Sequence, residues 1–144
     1  MSTNVVSAKD IRREWHLIDA KNQILGRLST KIAVLLMGKN QANYVPYLDM
    51  GDNVVVVNAS LVKVTGKKET QKTYSRHSGY PGGYREETLA VKRANNPKEI
   101  IEHSIKGMLP KTKLGKDMIK KLHVFAGNEH SFKDKFHSKE ENSK

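Results

Sequence analysis

Four valines in a row, Val54, Val55, Val56 and Val57, constrain the fold more than any other feature of this chain. Side chains on a strand alternate between the two faces of the sheet. An unbroken run of β-branched residues therefore puts apolar groups on both faces at once. That pattern suits a strand covered on both sides, the usual setting being a central strand of a parallel sheet. A turn over residues 49–52 precedes the run, and Asn58-Ala59 ends it. Upstream, residues 15–20 are apolar around His16 and read as a first strand. Leu25, Leu28, Ile32, Leu35 and Leu36 then recur at helical spacing, and Gly38 is well placed to close that helix. A strand followed by an apolar-faced helix is an α/β unit.

Downstream the pattern is more broken. Residues 61–65 read as another short strand and Thr65-Gly66-Lys67-Lys68 as a turn. Residues 69–85 are polar, basic and aromatic, with Gly79, Pro81, Gly82 and Gly83 close together, which predicts an extended arm or long loop. A helix is expected over residues 86–94. A second helix should start with Asn96 as N-cap, Pro97 in the first turn and Glu99 two residues further on. Ile100, Ile101, Ile105 and Met108 share one face of it, and Pro110 limits its extension. A short helix over 116–121 and a last strand over 122–126 follow. Residues 131–144 are mixed in charge, with Phe132 and Phe136 their only large apolar side chains, and cannot bury enough to fold alone. The expected organisation is an N-terminal arm (1–14), a single α/β domain (15–130) and a flexible C-terminal tail (131–144), a length that suits one domain.

Charge narrows the partner. Lys plus Arg is 26 against 15 Asp plus Glu, a net charge of +11. Such an excess points to a polyanion, with nucleic acid ahead of an anionic membrane surface. The absence of cysteine excludes disulfides, cysteine-ligated metals and thiol catalysis. No apolar run approaches the roughly 18–20 residues that span a bilayer. Residues 1–14 lack the apolar stretch of a secretory leader, so a cytoplasmic protein is expected.

The basic residues fall in three groups. In residues 105–127, Lys106, Lys111, Lys113, Lys116, Lys120 and Lys121 stand against Asp117 alone, with Met108, Leu109, Leu114, Met118, Ile119 and Leu122 as anchors between them. The anchors can fix the segment to a core while the lysines face outward, a field that suits a phosphate backbone. Proline and two glycines break the lysine spacing, which argues against a membrane-surface helix. In residues 63–85, Lys63, Lys67, Lys68, Lys72, Arg76 and Arg85 are interleaved with Tyr74, His77, Tyr80 and Tyr84. Cations meet phosphates and rings stack on unpaired bases. The competing reading is a solvated loop whose tyrosines pack on the sheet. Arg27, Lys31 and Lys39 lie on or after the first helix, where a solvated face explains them adequately and binding is the lesser reading.

Catalysis has little support. Asp19, Asp49 and Asp52 lie near strand ends, and six histidines are available as bases. No metal-protease, nucleophile-elbow or phosphate-loop motif accompanies them. Asp49 and Asp52 read as turn formers that accept from nearby backbone N–H groups. No cofactor, metal or small-molecule substrate is expected.

The order of motifs closely resembles the bacterial-type large-subunit ribosomal protein thirteen family. The resemblance runs from about Trp15 to His130. It is carried by Trp15-His16-Leu17-Ile18-Asp19-Ala20, Leu25-Gly26-Arg27-Leu28-Ser29-Thr30, Gly38-Lys39, Tyr44-Val45-Pro46 and the valine run with Asn58-Ala59. Further along come Gly79-Tyr80-Pro81-Gly82-Gly83, Gly107-Met108-Leu109-Pro110, Leu114-Gly115 and Gly127-Asn128-Glu129-His130. It implies a three-layer α/β/α sandwich around a small, mostly parallel sheet. It implies a structural, non-enzymatic protein that binds large-subunit rRNA beside other ribosomal proteins and takes part early in assembly. Through the matching motifs it adds Asn128 and His130 to the candidate RNA contacts. Asn40-Gln41 stands where the family often has a more basic stretch, and the tail after His130 lacks the proline and glutamine often seen there.

Overall fold

The valine run occupies the middle of a three-stranded parallel sheet, in a computed structural model that describes residues 7–137. Strand β1 is Trp15–Asp19, β2 is Asn53–Val57 and β5 is Leu122–Val124, in the order β1-β2-β5. Register pairs Leu17 with Val55 and Ile18 with Val56, and Val54, Val55 and Val56 with Leu122, His123 and Val124. Paired residues of parallel strands share a face. His16, Ile18, Val54, Val56, Leu122 and Val124 therefore point one way, and Trp15, Leu17, Val55 and His123 the other. All four valines are buried, as a strand covered on both faces requires.

The first face carries the main core. Helix α1, Leu25–Met37, buries Leu25, Leu28, Ile32 and Leu36. Helix α4, Pro97–Met108, buries Ile100, Ile101 and Ile105. These pack with Val54, Val56 and Val124 in one cluster. Gly38 ends α1 at φ 75, in keeping with its position in the sequence. A Cβ at Gly38 would also lie 2.6 Å from the Met50 carbonyl oxygen, so the turn before β2 can dock against the helix end only at a glycine. Gly51 is tighter still, since its Cβ would fall 1.7 Å from Leu36 O.

The second face is covered differently. Trp15 stacks on His123 at 5.9 Å between ring centroids, and Phe132 lies 5.2 Å from Trp15 and 4.4 Å from His123. Phe136, on the one-turn helix α6 (Asp134–His137), meets Trp15 edge-on at 6.4 Å. The two outer layers are thus unequal: helices on one side, a small aromatic cover on the other. That cover comes from the first residues of the expected tail, and residues 138–144 of that tail, like 1–6 of the N-terminal arm, lie outside the described residues.

Several elements differ from expectation. Residues 61–65 do not form a strand of the sheet. The chain makes a 3₁₀ turn at Ala59–Leu61 and then a single bridge between Lys63 and Ile24. The arm is more regular than a loop, with a one-turn helix α2, Lys68–Gln71, and an antiparallel hairpin of β3, Thr73–His77, and β4, Tyr84–Thr88. The helix expected over 86–94 begins only after β4, as α3, Leu89–Asn95. Glu86 and Glu87 favour helix locally, but cross-strand pairing with Ser75 and Tyr74 overrides that weak preference. The Thr88 hydroxyl then accepts from Val91 N–H and starts the helix. Helix α5 spans Lys113–Ile119, starting earlier than residue 116 because the Thr112 hydroxyl caps Gly115 N–H. Asn96 precedes α4 as expected. Its side-chain amide donates to the Glu99 carboxylate at 2.9 Å, whereas a cap would accept from a backbone N–H.

Candidate nucleic-acid interface

The hairpin sorts the arm's chemistry onto two faces. Across its strands Arg76 stands opposite Arg85, Tyr74 opposite Glu87 and His77 opposite Tyr84. Tyr74, Arg76, Arg85 and Glu87 therefore share one face, and His77 and Tyr84 the other. Tyr80 at the tip and Tyr84 are 75% and 59% exposed, so neither packs on the sheet. Tyr74 packs inward, though on helix α4 rather than on the sheet. Its ring meets His103 of α4 edge-on at 5.3 Å, with Lys72 and Lys92 each just over 5 Å from its centre. Burial raises its phenol pKa above the ordinary range. Tyr74 thus fixes the arm to the body while the rings of Tyr80 and Tyr84 stay exposed, the Tyr84 hydroxyl donating to the Glu86 carboxylate at 3.3 Å.

The tip is held by local bonds. Ser78 N–H donates to Gly83 O and Gly83 N–H to Tyr80 O. Gly79 N–H donates to His77 Nδ1 at 2.9 Å. His77 Nδ1 thus serves as the acceptor within the turn. Lys67 and Lys68 lie exposed at the start of α2.

The lysine segment joins α4 to α5. Lys106, Lys111, Lys113, Lys116 and Lys120 are exposed, while Leu109, Gly115 and Met118 are buried beneath them. A Cβ at Gly115 would lie 1.9 Å from Pro110 O, so the turn and α5 are pressed together. Lys120 pairs with Asp117, and that hydrogen bond holds the Asp117 carboxyl below its ordinary pKa. Lys121 departs from the expected outward field. It is buried, and its ammonium donates to Leu36 O, Gly51 O and the Asp49 carboxylate. Burial lowers its pKa, Asp49 opposing the shift. The reason is position: α5 has ended, and the chain here turns in to start β5, with Lys121 O accepting from Val54 N–H.

Arg27, Lys31 and Lys39 are exposed. The Thr30 hydroxyl lies 3.8 Å from the Met108 sulfur, which sets this flank of α1 beside the lysine segment. Asn128 is exposed. His130 is half-buried, with its ring 6.1 Å from Phe125 and 5.7 Å from Phe136, so it belongs to the aromatic layer.

The acids near strand ends are engaged internally. Asp49 accepts from Gly51 N–H, as a turn former should. Asp52 instead reaches across to Glu14 N–H and His16 Nε2. Asp19 accepts from Asn58 and from Lys21 N–H, which lowers its pKa. Among the described residues no three His, Asp or Glu side chains are grouped as a metal site requires, and no helix is long and apolar enough to cross a membrane.

Two cations of α3 were absent from the expected set. Lys92 lines a cleft of about 420 Å³ with Arg76, Arg85 and His103, and pairs with Glu99 at 2.7 Å. Arg93 is structural, donating to Ser60 O and Val62 O and pairing with Glu69. Both lie on α3, in a stretch with no local cluster of basic residues to mark it.

Comparison with known proteins identifies the family. Residues 13–131 match the family described as Ribosomal protein L13. The large ribosomal subunit protein uL13 of Solibacter usitatus is 52% identical over 130 residues, covering 90% of this chain and 91% of that protein. The uL13 proteins of Maridesulfovibrio salexigens, at 52% over 130 residues (90% of this chain, 92% of that protein), and Thermosipho africanus, at 48% over 128 residues (89% and 86%), are similar in the same way. The extent of the match, the parallel sheet and the motifs that carry the resemblance together make this chain a member of the ribosomal protein L13 family.

Proposed function

We propose that this protein is a structural constituent of the large ribosomal subunit, binding large-subunit (23S-type) rRNA early in assembly, beside neighbouring ribosomal proteins, and so supporting translation. The observation that carries this reading is the 52% identity, over nine-tenths of the chain, to proteins named for that subunit. The family is structural rather than enzymatic.

The geometry supports an interface in three parts. Arg76 and Arg85, opposed on one face of the hairpin, line a cleft with Lys92, Glu87 and Glu99, so three cations face two carboxylates there and leave a net positive charge for a phosphate. His77, Tyr80 and Tyr84, on the other face and at the tip, are free to stack on unpaired bases. Lys106, Lys111, Lys113, Lys116 and Lys120 form a second phosphate-binding surface. Lys67, Lys68, Lys72, Arg27, Lys31, Lys39, Asn128 and His130 complete the proposed set. Phosphate contacts of this kind fix position, and specificity then comes mainly from RNA shape.

The test is a salt titration of binding to large-subunit rRNA, small-subunit rRNA and duplex DNA of equal length. A preference for large-subunit rRNA that survives physiological salt is expected. Equal binding to all three that collapses together with salt marks a non-specific polyanion binder and overturns the proposal.

A further inference from the structure

We infer that the cleft between the end of α4 and α5 receives one unpaired nucleobase of the bound RNA, an inference that rests on the RNA-binding reading above. The cleft measures about 410 Å³, within the range of small-ligand sites. Its floor is apolar, formed by Leu109, Pro110 and Ile119. Its rim is cationic, formed by Lys106, Lys111 and Lys116. The close fit of Gly115 on Pro110 O and the Thr112 cap on Gly115 N–H fix the turn after α4 against the start of α5. A cleft built this way is formed in advance, so filling it carries little cost of ordering.

The mixture of surfaces selects the occupant. A phosphate alone would satisfy the lysines and leave the apolar floor bare. An apolar side chain from a protein neighbour would fill the floor and bring nothing for three ammonium groups. No carboxylate lines this cleft, whereas the adjoining clefts contain Glu87, Glu99 or Glu102. A splayed-out nucleotide brings both parts at once, a flat ring for the floor and a phosphate on either side for the rim.

Gly107 gives the means to test it. It lines the cleft, and a Cβ there would meet no atom within 4 Å. Gly107→Phe therefore brings a ring to the cleft from a position whose Cβ meets no neighbour, and Gly107→Ala adds only a methyl group there. The RNA is the large-subunit fragment that the full-length protein protects from nuclease, with each unpaired nucleotide replaced in turn by an abasic one. One position is expected where losing the base weakens wild-type binding about 5- to 150-fold. Gly107→Phe should bind unmodified RNA that much more weakly, ignore the abasic change at that position, and keep the wild-type salt slope. Gly107→Ala should weaken binding less than Gly107→Phe does. If no abasic position affects wild type more than Gly107→Phe, the inference fails while the ribosomal reading stands. If wild type shows no preference for large-subunit rRNA, it is the ribosomal reading that fails. A photoreactive base at the same position, cross-linked to wild-type protein, does not depend on any variant folding. Attachment within residues 103–119 supports the inference, and attachment elsewhere overturns it.

Discussion

Lys121 at the entry to β5 closes an ion pair with Asp49, 72 positions earlier in the chain. The same ammonium donates to Leu36 O at the end of α1 and to Gly51 O in the turn before β2. One side chain thus joins three segments that the sheet alone would leave loosely connected. Removing it takes this donor away from two carbonyls and a carboxylate. Asp49 keeps 19% exposure and the nearby Arg13, which softens the loss. We expect Lys121→Met to cost about 2–3 kcal/mol of stability, less than for a fully enclosed pair. Urea unfolding measures it, and the salt slope of RNA binding should not change. Lys116→Met should do the reverse. A Lys121→Met protein as stable as wild type but with a flatter slope would return Lys121 to the interface.

This pair also shows where sequence reading stops. Lys121 sits among five exposed lysines, and nothing local marks it as the one that turns inward. Its fate depends on Asp49 and on the end of α5, both set by tertiary packing. The valine run was legible because burial on both faces leaves a trace in the residues themselves. The leucine spacing of α1 and its glycine stop were legible for the same reason. The hairpin was not, since Glu86 and Glu87 read locally as helix and become strand only by pairing with residues 74–75. The aromatic cover was hidden too. Phe132 and Phe136 lie in a polar stretch whose partners, Trp15 and His123, are distant in the chain.

The exposed lysines should be separable from the fold. Replacing Lys111, Lys113, Lys116 and Lys120 together removes four surface cations, of which Lys120 pairs with the solvent-exposed Asp117. Exposed pairs of that kind contribute little, so stability should barely move. Binding to large-subunit rRNA should weaken, and its salt slope should flatten by roughly 0.7–0.9 for each phosphate no longer neutralised. An unchanged slope would take this segment out of the interface.

Both faces of the hairpin predict effects on binding rather than on stability. Arg85 stands opposite Arg76, but Glu87 shares their face and Glu99 acts on Arg76, which offsets the like-charge repulsion. Arg85→Gln should therefore leave the melting temperature of the free protein nearly unchanged while weakening rRNA binding. Tyr80→Ala and Tyr84→Ala should leave stability within about 0.5 kcal/mol, since both rings are open to solvent. Each should cost about 1–3 kcal/mol of RNA affinity if its ring stacks on a base. Melting curves and titrations on the same samples separate the two quantities. Loss of stability without loss of affinity would make the arm a structural element only.

The aromatic layer should respond to acid. Burial holds the His123 imidazole below its ordinary pKa of 6.5. The unfolded chain therefore takes up this proton more readily than the folded one, and the folded state loses stability as pH falls below 6.5 toward the lowered value. Well above that range the ring is neutral in both states and nothing is lost. His123 stacks on Trp15, the only tryptophan in the chain, so Trp15 emission follows the transition directly. Urea midpoints taken near neutrality and about two pH units lower should differ in wild type. His123→Phe keeps a ring between Trp15 and Phe132 but cannot protonate, so part of the difference should disappear. The same fall in both proteins would assign the acid sensitivity to other groups and leave His123 a purely packing residue.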